Sequence, residues 1–256
     1  MQALRAIGLA GVLASAPAAA APDDLVARPL VLDAGQVAAQ LVVESSLASK
    51  QVLAPLSLAP DAWWGATARW TLGVVHSDAS LDRVDFGASA CVRTTPDACP
   101  RVYHGGGLDA RYLAWAAGSF AVAPRARLIV RDVGPWKPAA TLGALARWQR
   151  GRVAVTADPY LQLGLANTDR GNRSALLVPV YFAVQPTCRW ALALETGYVS
   201  ELAVWRDGYH VPVALSVTAR ATEHVDLGAQ AGFTSLPGPQ NNIKQREMWL
   251  TIGWRR

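Results

Sequence analysis

Residues 141–165 constrain the fold more than any other stretch of this 256-residue chain. Their apolar side chains recur at every second position on both sides of the dipeptide Arg150-Gly151. A period of two predicts extended strands whose side chains point alternately to opposite faces. A short break that contains glycine predicts a tight turn between two such strands. The stretch therefore predicts a β-hairpin.

The two faces of this hairpin differ in polarity. One face is apolar and carries Leu142, Ala144, Ala146, Trp148, Val153, Val155, Ala157, Leu161, Leu163 and Leu165. The other face is polar and carries Thr141, Gly143, Arg147, Gln149, Arg152, Thr156, Asp158, Tyr160 and Gln162. Such a ribbon is typical of a transmembrane barrel, in which lipid covers the outside and the lumen is polar. The chain also has three lysines and is 52% hydrophobic, whereas the strands of a soluble sandwich carry many lysines on their polar faces.

The same alternation recurs along the rest of the chain. We predict twelve strands, at about residues 35–46, 52–64, 69–76, 108–117, 119–131, 139–149, 152–165, 175–185, 189–200, 209–220, 224–235 and 246–254. From residue 108 onward, short connections alternate with longer ones, which we place at 132–138, 166–174, 201–208 and 236–245. Outer-membrane barrels have short periplasmic turns, longer external loops and an even strand number. The predicted fold class is an all-β, antiparallel, up-and-down transmembrane β-barrel of about 12 strands.

The ends of the chain and its longest connection carry further signals. Residues 1–20 have the charged start, apolar centre and small-residue end of a secretory signal peptide, so the barrel domain is expected at 21–256, with an irregular leader at 21–34. Residues 78–107 are predicted as a long external loop, although 84–93 alternatively form a strand of the wall. In an exported protein, Cys91 and Cys99 predict a disulfide in this loop, the alternative being free or metal-linked thiols. Cys188 is left over and predicted to be free.

The last predicted strand carries a recognisable pattern. Met248, Leu250, Ile252 and Trp254 alternate toward the chain end, and Arg255-Arg256 follow the aromatic residue. The segment WWGATARWTLGVV combines aromatic residues, a glycine, a short turn and a strand. On these features the chain resembles small bacterial outer-membrane β-barrels of the transporter or porin-like kind. The resemblance implies a location in the bacterial outer membrane, contact with its lipid, and no catalytic residue.

Charged residues on the polar faces are the candidate functional residues. Alternation places the following residues toward the lumen as pore-lining candidates: Arg69, Arg125, Arg127, Arg131, Arg147, Arg152, Asp158, Glu195, Arg220 and Asp226. Further carboxylates face them from Glu44, Asp61 and Glu247. Because arginine predominates, the pattern predicts passage or binding of a small anionic or polar solute through a narrow lumen. The alternative is a lumen closed by salt bridges in a structural or surface-interaction barrel.

Other classes of function receive less support. A lipid hydrolase is a weaker alternative, because His76 and Ser77 are adjacent on a strand and point to opposite faces, so they do not meet as a catalytic pair. The four histidines lack metal-ligand spacing, so we predict neither a metal nor another cofactor, and no enzyme activity. The net charge of +5 is spread over the strands without a basic stripe, so no nucleic-acid partner is expected. Nothing in the sequence fixes the oligomeric state.

Tryptophan is concentrated near the predicted strand ends. The residues in question are Trp64, Trp70, Trp148, Trp190, Trp205 and Trp254. Aromatic rings favour the boundary between lipid and water, so this placement predicts an interfacial girdle. The alternative is a track of rings that stack on a ligand.

Overall fold

A computed structural model describes residues 25–47, 56–76, 90–93, 103–239 and 246–256, with the backbone alone at 90–93. These residues form sixteen strand segments, β1 to β16, with the following bounds in chain order: Val37–Ser46, Leu56–Gly65, Trp70–Val75, Ala90–Arg93, Gly107–Tyr112, Trp115–Ala117, Phe120–Val133, Trp136–Arg150, Val153–Ala157, Tyr160–Gly164, Ala175–Thr187, Trp190–Glu201, Tyr209–His210, Val213–Arg220, Val225–Phe233 and Arg246–Arg255. Single 3-10 turns lie at Leu25–Ala27, Thr168–Arg170 and Leu202–Val204. No helix in the described residues is long and apolar enough to cross a membrane.

The sheet closes on itself. Strand β1 pairs with β2 on one side and with β16 on the other, and every pairing in the described residues is antiparallel. Four strands of the wall consist of two segments each: β3 with β4, β5 with β6, β9 with β10, and β13 with β14. The barrel therefore has twelve wall strands, which confirms the predicted fold class and strand number. We number the wall strands in order around the barrel, so β1 is the first, β3 the third and β12 the ninth.

The barrel has a turn end and a loop end. At the turn end, glycines with positive φ occupy two-residue turns, with φ of 57° at Gly118 and 56° at Gly151. The predicted hairpin break at Arg150-Gly151 is shifted by one residue: Arg150 ends β8 and pairs with Val153, so Gly151-Arg152 form the turn. Glycine fits there because it adopts a positive φ without steric cost. The loop end carries the longer connections, including residues 165–174 and 202–208.

The structure corrects the prediction for one connection at the loop end and bears on the two alternatives for another. The predicted long connection at 132–138 is wrong: β7 continues to Val133 and β8 begins at Trp136, so only the cis Gly134-Pro135 pair separates them. A bulge between Val130 and Val133 breaks the alternation there, and that break made strand residues look like a loop. In the segment with two open alternatives, residues 90–93 form β4 and pair with the loop-end half of β2, while 84–89 lie outside the described residues.

Apolar side chains cover the outer face of the barrel, and charged side chains lie inside it. Leu215 is 67% exposed on the outer face, whereas Arg127 is 4% exposed inside the barrel. Exposed aromatic rings form a girdle around the turn end: Trp64, Trp70, Trp115, Phe120, Trp148, Trp190 and Trp254. Five of the six tryptophans predicted for a girdle belong to it, while Trp205 lies in the loop-end connection 202–208. An apolar belt with an aromatic border around a charged interior is the surface of a membrane-spanning barrel, so the protein belongs in a bacterial outer membrane.

Candidate functional site: the barrel lumen

A cluster of arginines surrounds one buried aspartate on adjacent wall strands. Asp109 on β5 is 2% exposed and accepts hydrogen bonds from Arg127 Nε at 2.9 Å and Arg111 Nε at 2.7 Å. The register of β5 and β7 pairs Asp109 with Arg127 and Arg111 with Arg125, so alternation alone brings all four side chains together inside the barrel. Trp63 Nε1 donates a further hydrogen bond to Asp109 at 3.0 Å.

The third arginine of this cluster connects it to the next part of the wall. The Nε atom of Arg125 is 4.0 Å from Asp109, and one of its terminal nitrogens lies 2.7 Å from an Asp158 carboxylate oxygen. The guanidinium group also lies over the ring of Tyr160, 5.5 Å from its centroid. We call these five charged residues, Asp109, Arg111, Arg125, Arg127 and Asp158, the arginine cluster. It contains three positive and two negative side chains, so one positive charge remains in excess.

Five further carboxylates are buried around the lumen. They are Glu44 on β1, Asp61 on β2, Glu195 on β12, Asp226 on β15 and Glu247 on β16. Several accept hydrogen bonds from neutral side chains: Gln230 donates to Glu195 at 2.6 Å, and Gln40 donates to Asp61 at 2.8 Å. These carboxylates lie on the first, second, ninth, eleventh and twelfth wall strands. Arg220 on the tenth wall strand is in register with Asp226, and Arg255 lies on the twelfth, so charges of both signs are distributed around the lumen.

A cavity of about 500 Å³ lies inside the barrel. The charged side chains that line it come from the wall and from residue 28: Arg28, Arg111, Arg125, Arg127, Arg255, Asp61, Asp158 and Asp226. In the loop-end half of the lumen, Trp249 is buried against Val42, Ala59 and Ala214.

Part of the leader predicted as irregular, residues 25–32, lies inside the barrel. Residues 25–36, which we call the N-terminal strap, pass through the lumen at the turn end. Arg28 forms a bidentate ion pair with Asp226, with N–O distances of 2.5 and 2.9 Å. The guanidinium group of Arg147 donates a hydrogen bond to the Arg28 carbonyl oxygen. The strap therefore brings an additional arginine to the cavity.

The predicted pore-lining residues fall into two groups. Arg125, Arg127, Asp158, Glu195 and Asp226 are buried inside the barrel; Arg147 contacts the strap, Arg220 is in register with Asp226, and Arg131 is partly buried toward the loop end of β7. Arg69 and Arg152 lie exposed in turns, where they donate hydrogen bonds to Tyr112 Oη at 3.4 Å and to the Pro186 carbonyl at 3.0 Å. These two are not brought to the others, because strand alternation does not extend through turn residues.

Sequence reasoning missed four charged residues of the site: Arg28, Asp109, Arg111 and Arg255. Asp109 and Arg111 alternate with Leu108, Ala110 and Tyr112, so the period-two pattern was sufficient to find them. Arg255 follows the same alternation at the end of β16. Arg28 lies in a stretch without periodicity, and no signal in the sequence placed it in the lumen.

The remaining predicted chemistry has mixed outcomes. Cys188 is free and exposed in the turn between β11 and β12, as predicted. The side chains of Cys91 and Cys99, for which a disulfide is predicted, lie outside the described residues. Ser77 of the hydrolase alternative lies outside them as well. His76 Nδ1 lies 2.6 Å from the Pro60 carbonyl oxygen. Within the described ranges, no group of three His, Cys, Asp or Glu side chains is arranged to hold a metal ion.

Solved porin structures share this fold. A structure of the KdgM porin in complex with disordered oligogalacturonate superposes with a TM-score of 0.58 at 8% identity, and the match covers 85% of this chain and 98% of that chain. The NanC porin gives a TM-score of 0.59 at 9% identity and covers 84% and 97% of the two chains. No family model and no curated protein matches the sequence. At these identities the likeness concerns the fold: the chain shares the β-barrel fold of these outer-membrane porins.

Proposed function

We propose that the barrel passes small anionic or polar solutes across the outer membrane through its arginine-biased lumen. The observation that carries the proposal is the arginine cluster beside the central cavity. Five arginines and three aspartates line that cavity, and Asp109 lies directly behind them, so a positive excess remains. In a narrow lumen of low dielectric, such an excess attracts anions and repels cations.

The lumen carboxylates also fit solute passage. Charges of both signs around a cavity orient a dipolar solute, and conduction requires binding that is weak enough for the solute to leave. The KdgM structure contains oligogalacturonate, an oligomer of carboxylated sugars. That porin shares the fold of this chain, so an anionic carbohydrate is a reasonable first probe for this lumen.

Ion selectivity in planar lipid bilayers tests this proposal. We expect the folded barrel to conduct, with a reversal potential in a tenfold KCl gradient that shows preference for chloride. Arg111→Gln removes one cavity charge while Arg127 continues to donate to Asp109, so we expect the reversal potential to move toward that of a non-selective pore. Arg170→Gln changes an exposed loop arginine and serves as the matched control. A cation-selective or silent barrel overturns the proposal.

A closed structural or surface-interaction barrel is the second candidate. The observation that favours it is the packing of the loop-end half, where Trp249 is 7% exposed and both Glu195 and Glu247 are below 5%. In that case the lumen charges stabilise the barrel and do not serve passage. A barrel that migrates on gels as a folded species and yet gives no channels supports this candidate.

A further inference from the structure

We propose that the N-terminal strap is the constriction of the pore at its turn end and that Arg28 sets solute selectivity there. The inference rests on the proposed passage of solutes. It assigns a role to the residues before β1, whose position the alternation of the wall strands does not explain.

The strap crosses the full width of the lumen. At its beginning, Val26 is buried against Ala154 of β9 and Ala191 of β12, and its N–H donates to Gln185 Oε1 at 3.2 Å. At its end, the Leu32 N–H donates to Thr71 Oγ1 of β3 at 2.7 Å. Strands β3 and β12 are the third and ninth of twelve wall strands, so they face each other across the barrel. A chain that contacts both must cross the space between them.

Two further contacts hold the middle of the strap from the remaining sides. Asp226 on the eleventh wall strand binds the Arg28 guanidinium group, and Arg147 on the sixth donates to the Arg28 carbonyl oxygen. These wall residues all lie within a few positions of a turn between strands, as do Gln185 and Thr71. The strap is therefore fixed across the turn-end mouth from four directions.

The wall is shaped to accept the strap. The Gly65 N–H donates to the Gln36 carbonyl, and the Gly35 N–H donates to the Gly65 carbonyl at 2.8 Å. A Cβ atom at Gly65 would lie 1.9 Å from the Asp33 carbonyl oxygen, so only glycine permits this approach. Val31 is 4% exposed, which shows that the centre of the strap is packed and does not lie loosely in the opening.

The strap therefore forms part of the boundary of the central cavity. Residues 28–32 line it together with the arginine cluster. A barrel of twelve strands lies between small barrels filled by side chains and large barrels with open channels, so a peptide across its mouth takes a large share of the cross-section. A solute that passes the turn end must move beside Arg28 and its partner Asp226, so the charge it meets there depends on this ion pair.

Single-channel recording on the full barrel tests the inference. Deletion of residues 25–32 leaves the wall intact, because β1 begins at Val37. We expect the deletion to raise the single-channel conductance at least twofold and to shift the reversal potential. Unchanged conductance and unchanged selectivity overturn the inference. If neither form conducts, the proposed function fails; if only the deletion variant conducts, that function fails while the strap remains the barrier.

A full-length variant covers the case in which the deletion fails to fold. Arg28→Cys, with Cys91, Cys99 and Cys188 replaced by serine, places one thiol on the strap. Addition of a negatively charged methanethiosulfonate reagent during recording is expected to lower the chloride current in discrete steps. The same reagent on Thr168→Cys, in an exposed loop-end turn, is the matched control and is expected to leave the current unchanged. Modification at position 28 without any change of current contradicts a constriction at the strap.

Discussion

Asp109→Asn removes one negative charge from the arginine cluster at nearly constant side-chain volume. The Asp109 carboxylate accepts from Arg111 and Arg127 and lies 4.0 Å from Arg125. At that distance an effective dielectric of about 20 gives roughly 4 kcal/mol for one pair of unit charges. Removing one partner of a buried ion pair costs about 3–5 kcal/mol, because the remaining charge stays buried. We expect the free energy of unfolding to fall by that amount.

Equilibrium unfolding in urea, followed by tryptophan fluorescence in lipid vesicles, measures this loss. Asp169→Asn removes the same charge from an exposed 3-10 turn and is expected to change stability by less than about 0.5 kcal/mol. The double variant Asp109→Asn with Arg127→Gln removes one unpaired guanidinium group as well. It is expected to recover part of the lost stability, because residues in one ion-pair network are not additive. A loss below about 1 kcal/mol for the single variant, or no recovery in the double one, refutes the coupling within the cluster.

Three further predictions follow from the strap, the turn end and the girdle. Gly65→Ala displaces the Asp33 carbonyl and is expected to raise conductance toward that of the strap deletion. Gly253→Ala is the control, because the added Cβ atom would lie 3.9 Å from its nearest neighbour. Equal conductance of the two variants contradicts the role of Gly65. The turn end, which carries Cys188, is expected to face the periplasm. With Cys91 and Cys99 replaced by serine, a maleimide on a 5-kDa polymer should therefore label Cys188 in opened cells and not in intact ones. Labelling of intact cells reverses the assigned orientation. Lipids brominated near the headgroup are expected to quench tryptophan fluorescence more than lipids brominated at mid-chain, and the opposite order contradicts an interfacial girdle.

The wall of the barrel was predictable because lipid on one side and a polar lumen on the other impose a period of two. Leu142 and Trp148 lie exposed on the outside and Thr141 is buried inside, as alternation required. The pattern failed where geometry interrupts it. The bulge between Val130 and Val133 made the end of β7 look like a loop, and Arg152 left the polar face because it lies in a turn.

The strap was not predictable, because its partners are distant in the sequence. Arg28 pairs with Asp226, 198 residues away, and the Val26 N–H donates to Gln185, 159 residues away. Contacts of that range arise only when the barrel closes. The sequence of the strap has no periodicity, so it does not reveal that the closed wall surrounds this segment in the fold.

Trp249 lies in the lumen toward the loop end and the strap crosses it at the turn end, so we expect each to restrict the current. Trp249 is buried near the start of β16, at the loop end, against Val42, Ala59 and Ala214. Restrictions in series add their electrical resistances, so removal of one leaves the other to limit the current. We therefore expect Trp249→Ala and the strap deletion each to raise conductance, and the combination to raise it by more than the sum of the two increments. Phe182→Ala, an aromatic residue exposed on the outer face, is the control and is expected to leave conductance unchanged. A combined variant that conducts no better than the strap deletion alone shows that Trp249 does not restrict the path, and that the turn end alone limits passage.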